Sequence, residues 1–432
     1  MKQVASIISI YAADISGVAS ALFELGGMTV MHDASGCNST YNTHDEPRWY
    51  DMDSMVFISG MTEMDAVIGD DHKLINDIKE AAAELSPLFI AIAGTPIPMM
   101  TGTDFKAIAR IIERDTGIPC FGINTNSMHC YFHGAGLALA AIADRFVEKP
   151  EKIKVLEKAL IEESGERKLA VNIMGLTPLD FSINGTDSSI RRFLSENGME
   201  VIGSWAMGSC LDDLKRAALA EVNLVVSSSG LQAARILYDR FGIPYVIGLP
   251  VGEICRSGVR KALSESASDG QNRTVYECDD RGSASEVRKA LSEPLFDGKN
   301  QSGYEIENRD SACNVREQPL IVFIGEQIIN ASMAAACEAE LSIRTSVISP
   351  LDTEEALLRN CDFRAEDETE IIPMLQDAVA VVADPLYRFI CPENSKFISY
   401  PHEAFSGRIY RAEIPDPVKN FEIILKRIKA VI

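Results

Sequence analysis

The sequence predicts an α/β chain with doubly wound parallel sheets, and three observations carry that expectation. Continuous apolar runs of strand length, such as residues 88–94, alternate three times over with helical patterns. The tripeptides Gly117-Ile118-Pro119 and Gly242-Ile243-Pro244 each follow a helical pattern and lead into a short strand. At 432 residues the chain exceeds one ordinary core, which sets an expectation of about two to four domains.

The elements fall in order. Residues 1–165 form a first unit: strand patterns at 1–8, 28–30 and 88–94, a helix pattern at 104–112, then a strand after Pro119. Residues 166–263 restart the pattern, with strands at 169–175, 199–203 and 220–227 and helices at 188–197 and 231–241. Residues 264–316 are rich in Ser, Asp, Glu, Asn and Gly, and read as a connecting segment with one helix near 285–291. A third unit spans 317–432, with strands at 319–326, 345–349 and 378–384. Three Rossmann-like units in series around a central cleft are therefore expected. Ligands in such sheets bind beyond the carboxyl ends of the strands, so the post-strand loops matter most.

Composition removes several function classes. With 46% hydrophobic and 24% charged residues, this is the make-up of a globular protein. No apolar run reaches membrane-spanning length, and the N-terminus lacks the pattern of a signal peptide. The net charge of −22 disfavours nucleic acid as a partner. Ten scattered cysteines without a secretion signal indicate a cytoplasmic chain with reduced thiols.

Cys37 is the leading chemical candidate. It closes the turn Met31-His32-Asp33-Ala34-Ser35-Gly36-Cys37 after a strand, a setting that suits a soft metal. Three more post-strand stretches follow, at 57–74, 94–104 and 120–134. If all lie on one sheet edge, they gather Cys37, Cys120, Cys130, His129 and His133. Cys120 is either a ligand or a core thiol after Pro119, and Cys130 either a ligand or loop packing. No Cys-x-x-Cys pair occurs, which argues against zinc-finger and ferredoxin-type sites. The chain has no Gly-x-x-x-x-Gly-Lys-Ser/Thr loop, hence no ATP site of that type. Gly134-Ala135-Gly136 reads as close helix packing or as a partial dinucleotide loop. Ser227-Ser228-Ser229-Gly230 reads as a helix start able to hold an anion. His402 and Arg408, in the loop 400–410, are candidates for lining a pocket between units.

The ordered loops resemble the component 1 family of nitrogenases and nitrogenase-like oxidoreductases. His32 to Cys37 resembles that family's His-Gly-Pro-x-Gly-Cys turn, which supplies a cluster ligand. Residues 62–74 match its Thr-Glu-x-Asp-x-Val-x-Gly-Gly-x-x-Lys-Leu stretch. Residues 99–104 resemble its Leu-Ile-Gly-Asp-Asp turn, His133-Gly134 its Gly-His before a helix, and residues 223–226 and 238–244 fit as well. Other family cysteines fall near Tyr11, near Ile123 with Cys120 close by, and at Ser227, where true nitrogenases hold their large cofactor. The resemblance thus implies a smaller cluster, of the 4Fe–4S type, in place of an eight-iron cluster and an iron–molybdenum cofactor. It implies metal ligation by Cys37, with Cys120 and Cys130 as further candidates, and a pocket lined by Ser227, His402 and Arg408. It also implies a homodimer or a paralogous subunit, and a separate P-loop ATPase iron–sulfur reductase as electron donor. Two other functions share these features: a metal-cluster or tetrapyrrole carrier without turnover, and a ligand-binding protein that has lost the cluster.

Overall fold

The computed structural model describes residues 12–34, 46–157, 168–276 and 318–432. The expected strand at 1–8, the helix near 285–291, Tyr11 and Cys37 lie outside the described residues.

Three parallel sheets give three doubly wound units. The first has the order β2-β1-β3-β4, from β1 (Met28–His32), β2 (Met55–Ile58), β3 (Ile90–Gly94) and β4 (Cys120–Ile123). The second has the order β6-β5-β7-β8-β9, from β5 (Leu169–Leu176), β6 (Met199–Ala206), β7 (Val222–Val225), β8 (Tyr245–Ile247) and β9 (Arg273–Thr274). The third has the order β12-β11-β10-β13-β14, from β10 (Leu320–Ile324), β11 (Arg344–Ser349), β12 (Phe363–Arg364), β13 (Ala378–Ala383) and β14 (Lys396–Ser399). The helix Gly252–Asp269 continues through residue 264, and β9 beyond it is the edge of the second sheet.

Central strands such as β1 and β3 are buried along their whole length, which is why they read as unbroken apolar runs. The helices that cover them follow ordinary rules. Phe105–Thr116 turns Phe105, Ile108, Ala109 and Ile112 inward, one stripe at helical spacing. Asp104 caps its start by accepting from Lys106 N and Ala107 N, and Gly117 ends it at φ 73°. The matched stretch 62–74 is also turn-building. Thr62 and Asp65 form a capping box, Gly69 is left-handed at φ 67°, and Asp70 caps the next helix through His72 N.

The helix Asp14–Leu22 is buried throughout and crosses Tyr131–Phe146 backbone against backbone. A Cβ on Gly17 would run into the Tyr131 carbonyl, and one on Gly134 into that of Asp14. Gly134 therefore serves helix packing. Among the described residues no helix is long and apolar enough to cross a membrane.

Candidate functional site

In each sheet the chain reverses its direction of winding at one point, and the two loops leaving there frame a crevice. In the first sheet that point lies between β1 and β3. His32 and Asp33 leave β1, and Thr95 leaves β3. Thr95 Oγ1 donates to the His32 carbonyl and to Asp33 Oδ1, both at 3.0 Å. Ser59, after β2, lies 2.8 Å from His32 Nδ1 and accepts from Asp33 N at 3.1 Å. Burial pushes the His32 pKa down to about 4, against the upward pull of Asp33, so its imidazole is neutral near pH 7. The chain runs from this fixed turn toward Cys37.

Cys120 does not join this edge. It opens β4 opposite Ile90, which pairs with Met28, whereas His32 pairs with Gly94 at the other end of the sheet. Four residues of strand separate the two ends, about 13 Å. Its thiol packs among Met28, Ile90 and Ile112, and burial pushes its pKa up to about 12. That is the setting of a core thiol.

Cys130 caps the helix Tyr131–Phe146 and faces the third unit. Its Sγ lies 3.8 Å from Asp352 Oδ2, and burial pushes its pKa up to about 12. His129 Nδ1 lies 3.6 Å from the same oxygen, and the His129 and His133 rings are 4.6 Å apart. Among the described residues no group of three His, Cys, Asp or Glu side chains is arranged to hold a metal ion. Asp14 holds the post-β4 loop nearby by accepting from Asn126 N at 3.0 Å and Ser127 N at 2.7 Å.

Ser227 and His402 meet a second site, where the three units converge. Ser227 is fully buried. Its hydroxyl lies 2.6 Å from the Gly175 carbonyl and 2.8 Å from Asp180 Oδ2. Asp180 also accepts from Thr177 Oγ1 (2.6 Å), Ser229 Oγ (2.8 Å) and Tyr131 OH (2.7 Å). The His402 ring stands 6.0 Å from that of Tyr131. Arg408 is exposed on the helix Glu403–Tyr410. Composition and motifs did not single out Tyr131, Asp180 and Glu326, the buried groups that organise this junction. The rule about post-strand loops contained the signal for the last two, which follow β5 and β10.

A family model described as "Nitrogenase component 1 type Oxidoreductase" matches residues 16–265. The nitrogenase iron-molybdenum cofactor biosynthesis protein NifE of Klebsiella pneumoniae is 23% identical over 253 residues, 57% of this chain and 54% of that protein. NifE of Clostridium pasteurianum is 26% identical over 44% of this chain and 38% of its own length. A light-independent protochlorophyllide reductase subunit of Nostoc punctiforme is 26% identical over 43% of this chain and 36% of its own length. The matched region thus spans about half or less of these relatives. A solved structure titled "Nitrogenase Cp1 at pH 6.5" superposes with a TM-score of 0.65 at 15% identity, covering 100% of this chain and 94% of that one. That likeness is one of fold.

Proposed function

The chain belongs to the nitrogenase component 1 type oxidoreductase family, and on that footing we propose that it is the electron-accepting component of a two-protein reductase. In this reading Cys37 ligates a 4Fe–4S cluster at the carboxyl edge of the first sheet. A separate P-loop ATPase iron–sulfur reductase delivers low-potential electrons, and an unidentified substrate receives them, in the cytoplasm. When bound, such a cluster supplies one-electron storage.

The observation that carries this reading is the fixed turn at the first switch point. Cys37 lies three positions beyond Ala34, a reach of about 10 Å at most. Thr95 and Ser59 hold the start of that tether. The neutral His32 adds no positive charge there. Cys120 is a core thiol and Cys130 faces Asp352, both with pKa pushed up to about 12. In this reading one copy brings Cys37 as a thiolate, and a second copy or a paralogous subunit completes the shell.

One observation favours a carrier instead: the NifE relatives are named for cofactor biosynthesis. Reduction of the reconstituted protein by a P-loop iron–sulfur reductase separates the two. ATP-dependent loss of cluster absorbance supports the electron acceptor. A bound cluster that the reductase leaves oxidised supports the carrier.

A further inference from the structure

The place where this fold holds a large metal cofactor corresponds to Ser227, and the residues present do not fit one. The winding reverses between β5 and β7 in the second sheet and between β10 and β13 in the third. The loops at these two points plug into each other. Ser228 donates its N–H at 3.0 Å and its hydroxyl at 2.5 Å to Glu326 Oε1, while Glu326 Oε2 accepts from Ile329 N at 2.8 Å. Asp180 takes the flanking serines and Tyr131 of the first unit. Within the second unit the two loops also meet backbone to backbone: a Cβ on Gly175 would lie 2.6 Å from Gly230 N.

Ser227, Asp180, Glu326 and His402 are each engaged or of the wrong form to ligate metal. Ser227 has given its hydroxyl to Asp180 and Gly175. Both carboxylates accept hydrogen bonds from residues of the junction. Gln327 Oε1 and Asn330 Oδ1, beside Glu326, are buried amide oxygens without a partner, and so is the ring nitrogen His402 Nε2, the feature that points most toward a ligand. The His402 Nδ1, however, accepts from Ala404 N at 3.3 Å as the helix cap. An imidazole whose Nδ1 accepts carries its proton on Nε2, which then offers a metal no lone pair. Phe405, edge-on at 5.0 Å, and Tyr131 wall the ring with aromatic surface.

We infer that the three-unit junction holds no large metal cofactor at Ser227, and that its loops act as a hydrogen-bonded latch between the units. Redox chemistry is then confined to the edge of the first sheet. This rests on the cluster assignment above, and the test keeps the two apart.

Ser227→Ala, His402→Gln and Cys37→Ala are purified anaerobically as full-length chains and reconstituted with iron and sulfide. Metal is counted per chain that shows the wild-type circular dichroism. Iron is expected to stay at the wild-type level in the first two variants. Loss of half the iron or more in a folded His402→Gln or Ser227→Ala chain overturns the inference. Iron retained in Cys37→Ala overturns the cluster assignment and leaves the latch standing. Hydrogen exchange on the wild-type chain needs no variant. Amides of residues 227–230 and 326–330 should exchange equally before and after reconstitution, and a tenfold slowing on cluster loading contradicts the latch.

Discussion

Ser228 and Glu326 clasp each other across two sheets, two donors of one serine on a single carboxylate oxygen, Glu326 Oε1. Glu326 is fully buried and also caps the helix Gln327–Leu341. Glu326→Ala therefore strands two main-chain N–H groups and a hydroxyl. A loss of roughly 2–4 kcal/mol is expected, read as an earlier urea midpoint. An unchanged midpoint contradicts the clasp.

The same residue sets a pH dependence. Burial first, and the neighbouring Asp180 second, raise the Glu326 pKa from 4.5 to about 7. The folded chain then binds this proton more tightly than the unfolded chain. The stability it contributes is full below about pH 4.5 and is lost as pH rises through about 7. His402, pushed down to about 3 by burial, acts oppositely: its contribution is present above 6.5 and lost as pH falls. The stability difference between wild type and Glu326→Gln isolates the first effect. It should shift against the wild type as pH rises between 4.5 and 7; a flat difference contradicts it.

Thr95→Val removes the hydroxyl that ties β3 to the His32 turn but keeps the shape of the side chain. The expected cost is about 1 kcal/mol in stability, together with faster loss of iron to a chelator. Chelator kinetics that match the wild type would leave the turn without a role in holding the cluster.

Gly134→Ala tests the helix crossing. The added methyl meets the backbone of Asp14, which cannot rotate away as a side chain would. Destabilisation of at least about 3 kcal/mol is expected, visible as a sharply lower thermal midpoint. A near-wild-type melt contradicts the backbone-to-backbone packing.

Much of this fold was legible because parallel strands buried on both faces appear as bare apolar runs, as β3 does. The fate of Cys120 was also written in its neighbours: Ile118-Pro119 marks a strand start, and a strand start lies far from the carboxyl edge. His402 and Arg408, six residues apart, differ in setting: His402 is buried at the helix start, while the helix carries Arg408 to an exposed position. Asp180 and Glu326 stayed hidden for another reason. In sequence each is an ordinary acid at a helix start, and Glu326 does cap one. Its second bond, to a serine 98 residues away, exists only once two sheets have docked.

The central claim is that Cys37 ligates an iron–sulfur cluster. Iron and sulfide analysis with paramagnetic resonance, on anaerobically reconstituted wild type and Cys37→Ala, tests it most directly. The account predicts a dithionite-reduced cluster signal in the wild type and its loss, with the iron, in a folded Cys37→Ala chain. An iron-free wild type, or a variant that keeps both iron and signal, would contradict it.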